Sequence, residues 1–372
     1  MNFPGKLAIQ QRVLPPYRAA FFDLLAQACD GGLSVCAGLP RPEESIAVTD
    51  SLLVAHYFPI RNIRLMGTPF HLYYQSGLSG WLSGWNPDAL ILEANPHLLS
   101  SPSAVRWMKR GGHPVIGWGL GAPQPPSSSP YFLRKWGEIQ REARASFLRQ
   151  FDALLTYSRR GADEYAALGF PAERIFVAPN AAAPRPTHPM PSRPKGFNGR
   201  PNILFVGRLQ ARKRVDILLR ACAVLAKEIQ PRLVIVGDGP ERVTLEALAK
   251  DIYPSAEFPG AKHGAELAPY FSSADLFVLP GTGGLAVQEA MSYGLPVIMG
   301  QGDGTNDDLV RPGNGWQIPS DNLEALTATL GEALSNVPSL RAMGVESYRI
   351  VSEEINLEKM VGVFVEALNS LK

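Results

Sequence analysis

The feature that most constrains this chain of 372 residues is a recurring unit: an apolar strand, a turn marked by glycine or proline, and an amphipathic helix. This alternation is typical of βα units around a parallel sheet. In the first half it predicts strands at 7–13, 33–38, 88–94, 114–119, 151–158 and 174–180. In the second half it predicts strands at 201–207, 232–239, 274–281 and 295–300, and closing helices at 321–335, 337–350 and 355–371.

One stretch breaks this pattern. Residues 181–200 hold five prolines and no apolar periodicity, which is typical of an interdomain linker. The length also favours two domains over one. We therefore expect an α/β protein with two Rossmann-like, doubly wound parallel-sheet domains and a ligand in the crevice between them. The predicted boundaries are 1–185, a linker at 186–200, 201–350, and a C-terminal segment at 351–372.

The composition is that of a globular protein. A net charge of +2 argues against a nucleic-acid binder. Cys29, Cys36 and Cys222 fit neither a disulfide framework nor a metal spacing, which favours a reducing compartment. The N-terminus has no uninterrupted apolar run of a signal peptide, and no stretch approaches the roughly 20 apolar residues that span a bilayer. We expect a cytoplasmic protein, soluble or peripheral on the inner face of the membrane.

The charge is uneven along the chain. Residues 1–185 carry +5 and the remainder carries −3. Two interpretations stay open: ordinary scatter, or a front domain that touches anionic lipid or an anionic acceptor. Trp81, Trp85 and Trp107 would suit a lipid-linked or polysaccharide acceptor, and core packing is their ordinary alternative.

A basic loop follows the strand predicted at 201–207. Gly207 lets the backbone approach a ligand at the carboxyl end of that strand, and Arg208 and Lys213 bracket the space beyond it. Two cations there would stabilise the charge that develops on a leaving diphosphate. The alternative is a basic loop on the surface with no ligand.

A glycine-rich turn follows the strand predicted at 274–281. The residues Gly281, Thr282, Gly283, Gly284 and Leu285 lead into a helix, whose first N–H groups form an anion site. Glu289, about one turn into that helix, is placed to accept hydrogen bonds from ribose hydroxyls. Its alternative is an acid that interacts with the helix dipole.

Three further turns lie at carboxyl ends of predicted strands. Gly237 and Gly239 either line a nucleotide pocket or form a tight turn without a ligand. Pro16, Tyr17 and Arg18 occupy the first strand-to-helix turn, and in one interpretation the prolines simply start the helix. Residues 302–305 are either a further lining loop or an irregular turn.

The segments GRLQARK, VIVGDGP and LPGTGGLAVQEAMSYGLPVI resemble glycosyltransferase family 4, the retaining enzymes of the GT-B fold. The resemblance covers most of 200–320 and is specific in its spacing, whereas the first half is similar only in outline. It implies two Rossmann-like domains that face a central cleft, with a nucleotide-diphospho-sugar in the second domain and the acceptor mostly in the first. It also implies that the last helix packs back on the first domain. In the GT-B arrangement the turn of Pro16, Tyr17 and Arg18 would point into the cleft, where Arg18 would meet the donor diphosphate or an acidic acceptor.

The resemblance assigns roles to residues of the second domain. Arg208 and Lys213 match the diphosphate contacts, which implies a metal-independent enzyme without a cofactor. Glu289 matches the glutamate that holds the ribose. The stretch from Gly283 to Leu285 matches the loop whose backbone meets the phosphate and the sugar.

One position departs from the family pattern. The family has a further glutamate eight residues before Glu289, directed at donor-sugar hydroxyls, and this chain has Gly281 there. The departure implies a different sugar, a substitute contact from Asp303 or Thr282, or lost activity; we favour an altered sugar site.

The family's histidine in the first domain has no clear counterpart. His97 and His113 are candidates, each with a surface or turn histidine as its alternative. Asn95 and Glu93, at the end of a predicted strand, are equal candidates for this cleft.

Other enzyme classes lack their motifs. The chain has no G-x-S-x-G, no G-x-x-x-x-G-K-[ST], and no G-x-G-x-x-G after its first strand. We expect a retaining hexosyltransferase that uses a UDP-sugar, or alternatively a GDP-sugar, and a glycan or lipid-linked acceptor. The rival hypothesis is an inactive GT-B protein that binds a nucleotide sugar or a protein partner.

Overall fold

The computed structural model describes residues 2–41, 44, 46–65, 72–122, 131–226, 229–302, 304 and 306–371, with the backbone alone for 131–139. The chain forms two compact units. Unit 1 comprises Met1–Ala182 and Leu357–Lys372, and unit 2 comprises Ala183–Asn356.

The first part of the chain alternates strands and helices. The strands are β1 (Leu7–Val13), β2 (Leu33–Gly38), β3 (His56–Pro59), β4 (Arg61–Arg64), β5 (Tyr73–Ser76), β6 (Ala89–Glu93), β7 (Val115–Gly119), β8 (Ala153–Thr156) and β9 (Ile175–Val177). The helices are α1 (Ala19–Gln27), α2 (Leu78–Trp85), α3 (Ser101–Arg110), α4 (Tyr131–Leu148) and α5 (Arg159–Ala167).

The second part repeats this alternation. Its strands are β10 (Asn202–Val206), β11 (Arg232–Val236), β12 (Glu257–Gly260), β13 (Leu276–Leu279), β14 (Val297–Gly300) and β15 (Gly315–Ile318). Its helices are α6 (Val215–Leu225), α7 (Arg242–Ile252), α8 (Ala268–Ser273), α9 (Leu285–Ser292), α10 (Leu323–Ser335), α11 (Val337–Glu353) and α12 (Leu357–Asn369).

Each unit is built on a parallel sheet, as expected for doubly wound α/β domains. The order in unit 1 is β3-β2-β1-β6-β7-β8-β9, and the order in unit 2 is β12-β11-β10-β13-β14-β15. The direction of strand addition reverses between β1 and β6 and between β10 and β13. In open α/β sheets, ligands bind at the carboxyl ends of the strands at such a reversal.

Every predicted strand is present, whereas several short elements were not predicted. Strands β4 and β5 pair as an antiparallel hairpin, and their short sequences RNIR and YYQS have no clear apolar alternation. Strand β12 contains Pro259 and Gly260, and α2 contains Gly80 and Gly84. These residues disfavour a strand or a helix locally, so tertiary packing must select those elements.

Two of the three tryptophans singled out above are anchored in the core of unit 1. Trp81 is buried and donates a hydrogen bond of 2.9 Å to Ser34 Oγ. Trp85 donates one of 3.0 Å to the carbonyl of Leu7, and Trp107 packs against the same core. Core packing, the alternative kept open above, therefore explains Trp81, and Trp85 and Trp107 are partly buried against the same core.

The last helix, α12, belongs to unit 1. Its Phe364 ring lies 4.9 Å from the rings of both Phe21 and Trp118, measured between centroids. Among the helices that the structure describes, none has the length and apolarity required to cross a bilayer.

Residues 186–200, predicted as the linker, form neither helix nor strand and are counted with unit 2. Within unit 2, Arg193 donates to the carbonyls of Phe271 and Tyr293, each at 3.0 Å. Burial and the nearby Arg341 lower the pKa of Arg193 to about 10. This segment is therefore held in place by hydrogen bonds despite its irregular backbone.

Candidate functional site

Three loops meet at the carboxyl edge of the sheet in unit 2. They follow β10 and β13, the two strands at the reversal, and β11, the strand beside β10. Because parallel strands end at the same edge, the predicted donor residues are brought together.

The basic loop after β10 is tied directly to the glycine loop after β13. The N–H of Thr282 donates to the carbonyl of Arg212 at 3.1 Å. In return, Lys213 Nζ donates to the carbonyl of Thr282 at 2.7 Å, and Arg212 Nη1 donates to it at 3.3 Å. The two loops therefore form one hydrogen-bonded unit.

Gly281 and Gly283 permit this contact. A Cβ on Gly281 would overlap the carbonyl oxygen of Arg212 and lie 2.7 Å from the Cα of Lys213. Gly283 has φ +96°, and a Cβ there would lie 2.7 Å from Lys213 Nζ. A side chain at 281 therefore does not fit while the two loops remain in this contact.

The basic loop holds positive charge that the protein does not neutralise. Among the described residues, Arg208, Arg212 and Lys213 have no carboxylate partner, whereas the next residue, Arg214, pairs with Asp216 and Asp321. Burial, together with Arg212, lowers the pKa of Lys213 to about 8. An anion at this edge would relieve both the desolvation and the repulsion between the cations.

Helix α9 begins directly at the glycine loop, with Gly284 as its N-cap and the exposed Leu285 as its first residue. The carboxylate of Glu289 makes no hydrogen bond or ion pair within the part of the chain that the structure describes. Burial raises its pKa. A half-buried carboxylate without a partner is suited to accept hydrogen bonds from a ligand.

Gly237 and Gly239 have a structural explanation. A Cβ on Gly237 would overlap the carbonyl oxygen of Gly207, and one on Gly239 would overlap that of Leu209. The N–H of Leu209 donates to the carbonyl of Asp238 at 2.9 Å. The tight-turn interpretation of these glycines therefore suffices, and they hold the basic loop from its other side.

Gln288 is a residue that the sequence analysis missed. This buried side chain accepts from the N–H of Ala183 at 3.2 Å and donates to the carbonyl of Ile355 at 2.6 Å. The chain passes between the units immediately beyond these residues, at Ala182–Ala183 and Asn356–Leu357. A polar residue on the apolar face of α9 was the signal that would have identified it.

At the reversal in unit 1, Glu93 ends β6. Its Oε1 accepts from the N–H of Arg12 at 2.6 Å, and its own N–H donates to Gln10 Oε1 at 3.1 Å. Burial raises the pKa of Glu93, against the opposing effects of the N–H and guanidinium of Arg12. A carboxyl group with a raised pKa thus lies at the expected edge.

Other predicted residues of the first domain lie on the same edge. Asn95 Oδ1 accepts from the N–H of His97 at 3.0 Å, and the His97 side chain is exposed. Pro16 and Tyr17, just beyond β1, are also exposed. Pro16 starts a short 3-10 turn that leads into α1, as the helix-start alternative predicts.

Arg18 requires a correction. It is buried in unit 1, where it donates to Asn180 Oδ1 and to the carbonyl of Ala181. Its guanidinium also lies 5.7 Å from the ring of Trp118 and 5.2 Å from that of Tyr157, measured to the centroids. Its donors serve the protein itself, so the prediction of a cleft residue was wrong.

His113 lies at the opposite edge from Glu93, because it precedes β7 instead of following it. It lines a cavity of about 590 Å³ together with Lys109, Asp152 and Arg174. The structure thus removes His113 from the candidate site. Asp303 and Thr305 lie outside the described residues.

The fold and the site together define a two-domain α/β protein whose second sheet carries basic residues without carboxylate partners at the carboxyl edge of its reversal, among the described residues. Comparison with known protein families supports this class. A model of "Glycosyl transferases group 1" matches residues 200–336, and a model of a "Glycosyl transferase 4-like domain" matches residues 20–181. The chain belongs to glycosyltransferase family 4, which confirms the resemblance.

Several curated relatives carry mannosyltransferase names. A GDP-mannose-dependent alpha-mannosyltransferase of Mycobacterium tuberculosis is 32% identical over 255 residues, 65% of this chain and 63% of that protein. One of Mycolicibacterium smegmatis is 36% identical over 42% of each chain. A putative colanic acid biosynthesis glycosyltransferase WcaL of Salmonella typhimurium is 32% identical over 50% of this chain and 48% of its own. The matches thus span about half the length of these relatives.

Solved structures share the fold at low identity. The UDP complex of Anabaena Alr3699/HepE has a TM-score of 0.68 at 14% identity over 100% of both chains. The galactosyltransferase WaaB has a TM-score of 0.66 at 18% identity, over 98% of this chain and 99% of its own. The chain therefore has the GT-B fold.

Proposed function

We propose that the chain transfers a hexosyl group from a nucleotide-diphospho-sugar to a hydroxyl of a glycan or lipid-linked saccharide. The reaction retains the anomeric configuration and needs no metal ion. One observation carries the proposal: Arg208, Arg212 and Lys213 lie without carboxylate partners among the described residues, on a loop bound to the glycine turn before α9.

The proposed chemistry follows from this charge. The bond between the anomeric carbon and the diphosphate oxygen breaks, and its electron pair stays with the diphosphate. The acceptor oxygen bonds to the anomeric carbon, and its proton passes to the departing diphosphate. Arg208 and Lys213 stabilise the resulting negative charge in the role that a divalent ion has elsewhere. The first N–H groups of α9 add to this stabilisation, and Glu289 accepts hydrogen bonds from the ribose.

Two donors merit the first tests. The sequence favoured a uridine nucleotide, with a guanosine nucleotide as the alternative. The mycobacterial relatives are named as GDP-mannose-dependent enzymes. GDP-mannose and UDP-glucose are therefore compared first, and Gly281 makes an altered sugar contact the expected difference from other family members.

The test measures the thermal stability of the full chain with UDP, GDP, ADP and TDP in the presence of EDTA. A nucleotide at 100 times its Kd stabilises by about 2.7 kcal/mol. We expect one nucleotide to stabilise the parent and the exposed control Arg220→Ala/Lys250→Ala, but not Arg208→Ala/Lys213→Ala. Stabilisation of all three proteins alike would remove the diphosphate site from this loop.

Product analysis tests the transfer itself. We expect an α-linked product from an α-linked donor, read from its anomeric proton, with an unchanged rate in EDTA. Nucleotide binding without transfer to any glycan or lipid-linked acceptor would instead support the inactive GT-B protein.

A further inference from the structure

The hairpin β4–β5 in unit 1 has two chemically different faces. Asn62 and Gln75, directly paired across the strands, point inward, and Gln75 Nε2 donates to Asn62 Oδ1 at 3.0 Å. Ile63 and Tyr74, the next pair, are exposed. Because side chains alternate along a strand, the inward pair is polar and hydrogen-bonded, and the outward pair is apolar.

The inward face anchors the hairpin at the carboxyl edge of the sheet. Asn62 Nδ2 donates to the carbonyls of Arg12 and Leu39, at 2.8 Å and 2.9 Å. Gln75 Nε2 donates to the carbonyl of Gln11 at 2.9 Å. Since the N–H of Arg12 binds Glu93, the hairpin lies beside the proposed acceptor edge.

The outward face is an apolar cluster. Ile63 and Tyr74 are 39% and 46% exposed, and Leu65, on the same face, is 45% exposed. Elsewhere among the described residues, the exposed large apolar side chains are mostly single positions, such as Val243 and Val345 on two helices of unit 2. Leu53 and Val54 of unit 1 are a second adjacent exposed pair, but they lie on irregular backbone. Single exposed positions are ordinary, whereas adjacent ones mark a binding surface.

The charge of this region is complementary to an anionic surface. Residues 51–87 contain no aspartate or glutamate. Arg61 shares the outward face, and it has no ion pair among the residues that the structure describes. Basic and apolar side chains on one face are typical of proteins that bind the interface of anionic membranes.

We propose that the outward face of Arg61, Ile63, Leu65 and Tyr74 docks on an anionic lipid bilayer, and that the acceptor is a lipid-linked saccharide presented from it to the edge at Glu93. The proposal rests on the proposed function and selects between its two acceptor classes. Four side chains are too few for a stable protein interface, which buries about 800 Å² on each partner. A bilayer requires only a shallow apolar insertion and basic charge.

The experiment measures cosedimentation of the full chain with vesicles of phosphatidylcholine alone and of phosphatidylcholine with phosphatidylglycerol. We expect at least tenfold tighter binding to the anionic vesicles, weakened by salt. Ile63→Ser/Tyr74→Ser lowers this binding at least tenfold. The control Val243→Ser/Val345→Ser, which changes side chains that are 79% and 54% exposed, binds as the parent does.

Two results would overturn the docking surface: equal binding of the parent to anionic and to neutral vesicles, or binding of the hairpin variant to anionic vesicles that is as tight as that of the parent. A parent that is dimeric where the hairpin variant is monomeric would assign the face to a second copy, and would also overturn it. Stabilisation by UDP or GDP, measured on the same samples, is expected to be equal in all of them. Its absence from the parent would contradict the proposed function without affecting the vesicle result.

Discussion

Lys213 Nζ lies 2.7 Å from the backbone carbonyl oxygen of Thr282, so the proposed diphosphate-binding cation is already attached to the glycine loop. This hydrogen bond orients the ammonium group, and burial with Arg212 nearby lowers its pKa to about 8. An orientated cation with a lowered pKa gives the donor site a pH dependence near neutrality.

The first prediction concerns this pH dependence. Lys213 binds the diphosphate in its protonated form, so raising the pH through about 8 removes the charge and weakens donor binding. We expect kcat/KM for the donor to fall above that pH in the parent. Lys213→Arg should hold the value to higher pH, because a guanidinium stays protonated. Identical alkaline profiles for the two proteins would contradict the assignment to Lys213.

The second prediction concerns Gly281. A Cβ at this position overlaps the carbonyl oxygen of Arg212, so Gly281→Ala should push the basic loop away. We expect a loss of about 1–3 kcal/mol in the free energy of unfolding by urea. We also expect at least tenfold weaker nucleotide binding. Gly196→Ala, which has open space for a Cβ, serves as the control. Unchanged nucleotide affinity in Gly281→Ala would show that the loop contact is dispensable.

The third prediction separates stability from binding at Glu289. Burial raises the pKa of this carboxyl, so its ionised form destabilises the fold above its raised pKa. Glu289→Gln removes that cost, and we expect a higher Tm than the parent's at pH 8. The same variant should raise the KM for the donor, because an amide is a weaker acceptor for ribose hydroxyls than a carboxylate. A lower Tm with an unchanged KM would make Glu289 a purely structural residue.

The fourth prediction concerns Gln288, which bonds the N–H of Ala183 and the carbonyl of Ile355. Gln288→Leu leaves both groups without this partner, and we expect a loss of about 1–3 kcal/mol in the free energy of unfolding. Hydrogen exchange at the Ala183 amide should accelerate. The control is Gln317→Leu, which removes one side-chain bond to Val310 elsewhere in unit 2. Equal hydrogen-exchange rates at the Ala183 amide in the two variants would show that Gln288 does not hold this segment.

Local sequence pattern predicted much of the candidate donor site. Gly207, Arg208 and Lys213 follow a strand, and Gly281 to Leu285 follow another, so the rule that parallel strands end together already placed them at one edge. The first domain was harder to interpret. Arg18 follows its strand in the same way, yet it is buried against Asn180 and Tyr157. Those partners are far away in sequence, and no local pattern shows them.

What the sequence alone determined is the set of βα units, the glycine turns that end their strands, and the concentration of basic residues after β10. These depend on periodicity and backbone preference, which act over a few residues. The tertiary structure alone decided that Gly281 faces the carbonyl of Arg212, that Gln288 holds Ala183 and Ile355, and that Ile63 and Tyr74 form one exposed pair. The physical reason is that each of these contacts joins residues distant in sequence, and packing brings them together.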